Sequence, residues 1–198
     1  DDPWMPFRAD QYSAFGARPA RLFYMTATRA GLQLHGYHRF VEAPASMRVR
    51  AVGLLPVVRL SGVEMTRSET VTILNDVCVM APAALLELPL TWQSPAEAEP
   101  DAATDRVRVS FTHGDVTVSA DLVIAADGTL LDFVSDDRFA TSSDGRSMTR
   151  RRWSTPLRDV RAFGPVHLPS AGEGRWHDDD RSWPYLELTI DDVRYNVR

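Results

Sequence analysis

EMTRSETVTILNDVCVMAPAALLE, residues 64–87, is the long helical pattern in a chain that otherwise reads as strand. On a wheel of about 100° per residue, Thr70, Val71, Ile73, Leu74, Val77, Cys78 and Ala81 fill one arc. Ser68, Glu69, Thr72, Asn75 and Asp76 fill most of the other. Such an apolar stripe needs a surface to lie on, and in a strand-rich chain that surface is a sheet. Thr66-Arg67-Ser68-Glu69 has the spacing of a capping box, with Thr66 as N-cap and Glu69 reaching back to its N–H. Pro82 cannot continue the helix and starts a second short one, PAALLE, at its first turn. Residues 66–88 are therefore expected to form a helix-break-helix lid. Glu69 and Asp76 stand about 10 Å apart along the axis, too far to share a proton. Glu69 is expected to cap and Asp76 to face water. Glu64, just outside the cap, has no structural task in this reading.

Outward from the helix the period changes to two. Segments 22–28, 34–42, 46–52 and 56–60 are rich in β-branched and aromatic residues and are separated by Gly or Pro. Met47, Val49 and Ala51 alternate with Arg48 and Arg50, the mark of a half-buried strand. ADQYSAFG (9–16) is expected to form a short helix between Asp10 and Gly16. After the lid, RVRVSFTH and VTVSADLVIA flank Gly114-Asp115, and the next pair flanks Asp127-Gly128; both are hairpin signals. Val107, Val109 and Phe111 share a face, with Arg106, Arg108 and Ser110 on the other. Residues 94–105 read as a mobile polar surface loop. The late segments PLRDVRAFG, VHLP, GEGRW and YLELTIDDVRYNV read as further strands. The expected fold is α+β over residues 1–198 as one domain. In it a curved antiparallel sheet, a half-barrel or open-barrel meander, is covered by the helical insertion.

The composition excludes several function classes. The chain has 198 residues, 44% hydrophobic and 25% charged, with a net charge of −5. That balance gives no general nucleic-acid surface, and no apolar run reaches the roughly 18 residues of a membrane span. All 22 basic residues are Arg. With no Lys there is no Schiff base and no P-loop lysine. One cysteine, Cys78, excludes an internal disulfide and a multi-cysteine zinc site. No cofactor and no metal are expected. The cytoplasm is the expected compartment, with a signal or anchor upstream of Asp1 as the alternative.

The titratable candidates are scattered. His35 and His38 are three apart on one strand, so they point to opposite faces. Asp132, Asp136 and Arg138 are expected on one face of their strand, with Asp137 on the other. WHDDDRSW lacks the alternating ligands and glycine of a calcium loop. RRRW (150–153) is expected to be solvated or paired with Asp. Trp92, Trp153, Trp176, Trp183, Tyr185 and Tyr195 stand at strand ends, as rim packing or as the mouth of an apolar pocket.

WMPF, GYHRFVE, ASMRVR, GVEMTRSETVTILNDVCVMAPAALL, LTW, LLDFVSDDR, RWSTPL and VRYNV together resemble a bacterial family of unknown function, frequent in actinobacteria. The resemblance spans nearly the whole chain and implies no reaction. The layout is also similar, more loosely, to the lipoprotein-carrier (LolA/LolB-like) fold, a curved half-barrel closed by helices over an apolar cavity.

Two functions follow as expectations. The first is binding of an apolar small molecule or acyl chain between sheet and helices. It would be lined by Met47, Val49, Leu74, Val77, Cys78, Trp92 and Phe111, with Arg48, Arg50 or Arg138 at the rim for a polar head. The second is a cofactor-independent enzyme, an isomerase, cyclase or hydrolase, drawing its acid/base groups from Glu64, Glu69, Asp76, Asp132, Asp136 and His38. A structural protein with a filled core is the third possibility.

Overall fold

The computed structural model describes residues 4–93, 104–142, 145 and 147–197. The first half is an antiparallel meander of β1 (Phe7–Ala14), β2 (Ala20–Arg29), β3 (Leu32–Phe40), β4 (Ser46–Ala51) and β5 (Leu55–Ser61). The helix α1 (Val63–Met80) and a 3₁₀ turn (Pro82–Leu86) follow. The second half comprises β6 (Leu90–Gln93), β7 (Thr104–His113), β8 (Val116–Ala125), β9 (Leu130–Thr141) and β10 (Met148–Ser154), then β11 (Leu157–Phe163), β12 (Val166–His177) and β13 (Ser182–Thr189). These eight form a second antiparallel sheet, in the order β11-β12-β10-β9-β8-β7-β6 with β13 paired to β12. The α+β class and the curved antiparallel architecture hold, and neither sheet closes into a barrel.

The helix lies between the two sheets, so every residue from Met65 to Val79 except Arg67 is buried. Its apolar arc, with Val71, Ile73, Leu74, Val77 and Cys78, joins Val109, Phe111, Val118, Leu122 and Phe133 of the larger sheet in the core. Val107 aside, the inward face expected of β7 is that of the structure: Val109 and Phe111 are buried. The outward faces of β7 and β8 are zipped by polar cross-strand pairs. Arg108 binds Asp121 through two bonds, Ser110 meets Ser119, and Thr112 meets Thr117.

Several local expectations are corrected. Residues 9–16 do not form a helix. Phe7, Ala9, Gln11 and Ser13 alternate with Arg8, Asp10 and Tyr12, and pairing with β2 along the whole strand outweighs a weak helical signal. Helix α1 starts at Val63, with Gly62 at φ 114° as its N-cap and no side-chain cap. A glycine tolerates that backbone, so the chain enters the helix earlier than a Thr66 cap would allow. Thr66 instead donates to the Gly62 carbonyl and accepts from the Ala45 N–H. Glu64 then falls in the first turn, where an acid is favoured by the helix dipole, which gives it a structural task. The break at Ala81-Pro82 is present. The loop expected at 94–105 lies, for 94–103, outside the described residues, and Thr104 and Asp105 already belong to β7. VHLP and GEGRW are one strand, β12. Gly174 is needed there because a Cβ would come within 2.9 Å of the Tyr185 ring. Residues 190–197, expected as strand, have no regular structure, and Tyr195 ties them to the helix end by donating to the Met80 carbonyl.

Candidate functional site

A cleft of about 3580 Å³, broadly open to solvent, runs between the sheets. Its floor is the polar arc of α1: Ser68, Glu69, Thr72, Asn75 and Asp76, positions that recur on one helical face. One wall comes from the inward residues of β1 and β2, among them Gln11, Arg21, Phe23 and Met25. The other carries Arg138, Arg151, Trp153, Trp176, Trp183 and Tyr185 from β9, β10, β12 and β13. The acids expected to cap and to face water therefore do neither. Both are buried, because the second sheet covers the side of the helix that a single-sheet reading leaves in solvent.

Arg21 holds the floor together. Its Nε donates to Asp76 Oδ2 at 2.8 Å, one terminal nitrogen donates to Glu69 Oε2 at 3.1 Å, and the other to Gln11 Oε1 at 2.9 Å. The Gln11 amide nitrogen closes the ring on Asp76 at 2.8 Å, and His38 Nδ1 lies 3.4 Å from Glu69 Oε1. Phe23 backs the guanidinium, 4.9 Å from its centre. Two carboxylates 7 positions apart on the helix are thus bridged by one planar cation, which suits Arg and not Lys. Burial pushes the Glu69 carboxyl up, but the Arg21 and His38 contacts and the nearby Arg138 charge outweigh it and hold it at about 2. For Asp76 burial wins: the Arg21 contacts offset it only in part, and Glu69 adds repulsion, so this carboxyl is harder to ionise than usual. The opposite signs fit one guanidinium shared between two acids. We assign the ionised form to Glu69 and the more proton-avid site to Asp76.

A β-bulge sets the opposite wall. Between the pairs Arg151–Arg138 and Trp153–Ser135, β9 sets two residues, Asp136 and Asp137, against the single Arg152 of β10. The inward set of β9 therefore switches from Phe133 and Ser135 to Arg138 and Ala140 across Asp136-Asp137. This corrects the expectation that Asp132, Asp136 and Arg138 share a face. Asp136 is exposed and near Arg152, while Arg138 is turned into the cleft. Its guanidinium stacks 4.1 Å over the Trp153 ring and 5.9 Å from that of Trp176. Among the described residues no carboxylate or carbonyl accepts a hydrogen bond from it. The Trp153 Nε1–H is buried and, among the described residues, also without an acceptor. Other arginines of this region are paired, as expected of RRRW: Arg150 with Asp137 and Arg151 with Asp178.

Of the acid/base candidates, Glu69, Asp76 and His38 line the cleft, while Glu64, Asp132 and Asp136 do not. Among the lining candidates, Met47 and Arg138 face it. Leu74, Val77, Cys78 and Phe111 are packed in the closed core, and Val49 lies on the inner face of the smaller sheet outside the cleft. Burial, with Asp76 nearby, raises the Cys78 thiol to about 12, which leaves it inert. Trp92 is exposed on the edge strand β6, and Arg48 and Arg50 point outward from β4, away from the cleft. Arg21, Gln11 and Asn75 went unrecognised in the sequence. The signal was there for Arg21: it shares strand parity with Phe23 and Met25, and an inward arginine demands acids. Among the described residues no group of three or more His, Cys, Asp or Glu could hold a metal ion.

Asp132 lies on the other side of β9, and burial raises it to about 6 despite the N–H groups of Phe133 and Thr155 and the charges of Arg106 and Arg175. A carboxyl whose pKa rises on folding, from about 3.9 in the unfolded chain, takes up a proton as the chain folds. Its contribution therefore weakens as pH climbs through about 6. Asp132→Asn keeps the acceptor for the Phe133 N–H and removes the slope. Thermal melts across this range should show the variant gaining on the wild type as pH rises. A pH-independent difference would contradict the burial argument.

The profile of a protein family described as Family of unknown function (DUF6544) matches residues 1–188. The chain belongs to that family. Among curated proteins and solved structures nothing matches it significantly. The matched span takes in every strand of both sheets except the last residue of β13, and with them the β9 bulge and the Arg21 cluster; the cleft lining from Thr189 to Val197 lies beyond it.

Proposed function

We propose that this member of the family binds an apolar molecule with an acyl-like chain and an acidic head, lying in the cleft between the sheets. The observation that carries the reading is Arg138: a cation inside an aromatic-walled cleft, stacked on Trp153, with no carboxylate or carbonyl acceptor among the described residues. An oxyanion in the cleft would give the Arg138 guanidinium the acceptor that it lacks among the described residues. Phe23, Met25, Trp176 and Trp183 offer the apolar contact for a chain. The cleft is open to solvent and has room for an extended ligand.

A cofactor-independent enzyme is the second reading, and what favours it is Asp76, a proton-avid acid on the cleft floor. Against it, Asp76 accepts from both Arg21 and Gln11, and Glu69 is held ionised by Arg21, so neither is poised to move a proton. The cluster reads better as a scaffold under a binding surface.

Trp153 and Trp176 make the test optical. Oleic acid should change the tryptophan emission and saturate, and Arg138→Gln should weaken it roughly 10- to 100-fold, the worth of a charged hydrogen bond. Methyl oleate should bind the two proteins alike. Equal oleic acid affinity in wild type and variant would remove Arg138 from the reading, and no binding of either compound would end it.

A further inference from the structure

We infer that the outer face of the five-stranded sheet, together with its two hairpin tips, docks on a membrane surface rich in anionic lipid. The inference rests on other observations than the cleft, whose rim this face meets at Arg8, Asp10 and Tyr24. The cross-strand register places Tyr24, Tyr37, Arg48 and Arg59 in one row across β2–β5, with Asp10 at its β1 end. The flanking rows add Arg8 and Arg50 on one side and Tyr12 and Arg39 on the other. All five arginines are exposed, and no ion pair is formed by any of them among the described residues. With Asp10 as the one acid of these rows, the face carries a formal +4 in a chain of −5, which leaves −9 for the rest.

Folding does not explain this arrangement. Arg48 and Arg59 are direct cross-strand partners, a like-charge pairing that destabilises a sheet. On the larger sheet several exposed arginines do have acids, as with Arg108–Asp121 and Arg150–Asp137. An uncompensated basic face implies an anionic partner.

The hairpin tips say which one. The β2–β3 and β4–β5 turns lie at the same end of the sheet, since Leu34 pairs with Ala51 beside both. There Leu32 is 53% exposed, Val52 49%, Leu54 80%, Leu55 63% and Val57 56%. Saturated aliphatic side chains presented this way have no use for a base or a phosphate, but they can enter hydrocarbon. Arginines just behind them would sit at phosphate level and the tyrosines in the interface. A nucleic-acid surface would place aromatic rings at the tips for stacking, and the tips have none.

The test is co-sedimentation of the full chain with vesicles of phosphatidylcholine alone or mixed with phosphatidylglycerol. The protein should pellet with the mixed vesicles at low ionic strength and be released by high salt. Arg48→Glu with Arg59→Glu changes the face by four charges, at about fivefold each, so binding should fall a hundredfold or more. Leu54→Cys carrying an environment-sensitive dye reports insertion, because the buried Cys78 will not compete for the label. Its emission should shift to the blue on mixed vesicles only. All three positions are exposed, and matching circular dichroism verifies the fold. Failure to pellet with mixed vesicles, equal binding to both vesicle types, or an unshifted dye on bound protein would each overturn the proposal. So would displacement from the vesicles by single-stranded RNA at the same salt, which would assign the face to nucleic acid.

Discussion

Arg21→Met should lower the stability by about 3–5 kcal/mol, the cost of leaving buried charge without its partner. For a protein whose whole stability is of the order of 5–15 kcal/mol, that is a large part of the margin. The loss comes from what remains behind. Glu69 and Asp76 are both buried, and Arg21 is the cation hydrogen-bonded to each. Neutralising them as well, with Glu69→Gln and Asp76→Asn beside Arg21→Met, should recover most of the loss, since an uncharged cluster has no desolvated ion to compensate. Guanidinium unfolding of wild type, single and triple variants decides it, and a triple variant as weak as the single would mean that packing and not charge is at stake. Acid titration gives a second check. The Glu69 contribution is complete above its unfolded pKa, about 4.3, and is lost as pH falls toward about 2. In Arg21→Met that acid limb should disappear.

Phe133→Ala should cost a comparable 3–5 kcal/mol, the usual range for a fully buried aromatic ring. Phe133 is 0% exposed and meets the Trp153 ring edge-on at 6.1 Å, so it supports the indole that in turn carries Arg138. The substitution should thus change the tryptophan emission even below the unfolding transition. Phe133→Leu, which keeps most of the volume, should restore much of both. An Ala variant with native emission would separate the core from the cleft wall and weaken the case for a supported site.

The parts of the fold legible in the sequence are those whose signals are local. Period-two alternation and the Gly114-Asp115 and Asp127-Gly128 turns mark β7, β8 and β9, and both glycines take positive φ, at 59° and 87°. Pro82 marks the end of the helix. What was not legible depends on distant partners. Glu69 and Asp76 look like solvent-facing acids on a wheel because their cation lies 48 and 55 residues away. The capping box was a true local pattern overridden by Gly62, which starts the helix sooner. The bulge at Asp136-Asp137 leaves no mark on the alternation of hydrophobic residues, yet it decides that Arg138 enters the cleft and Asp136 does not. For the same reason Leu74 and Val77, apolar at helical spacing, looked like ligand lining when they are core, and the polar arc faces the cleft instead.

The central claim is that the cleft holds an acidic amphiphile. Native mass spectrometry of the freshly purified chain with oleic acid and with methyl oleate tests it most directly. The expected result is a saturable oleic acid complex that survives gentle activation, is weakened in Arg138→Gln, and leaves the methyl oleate complex unaffected by that change. Bare protein at every oleic acid concentration, or a complex indifferent to both the head group and Arg138, would contradict it.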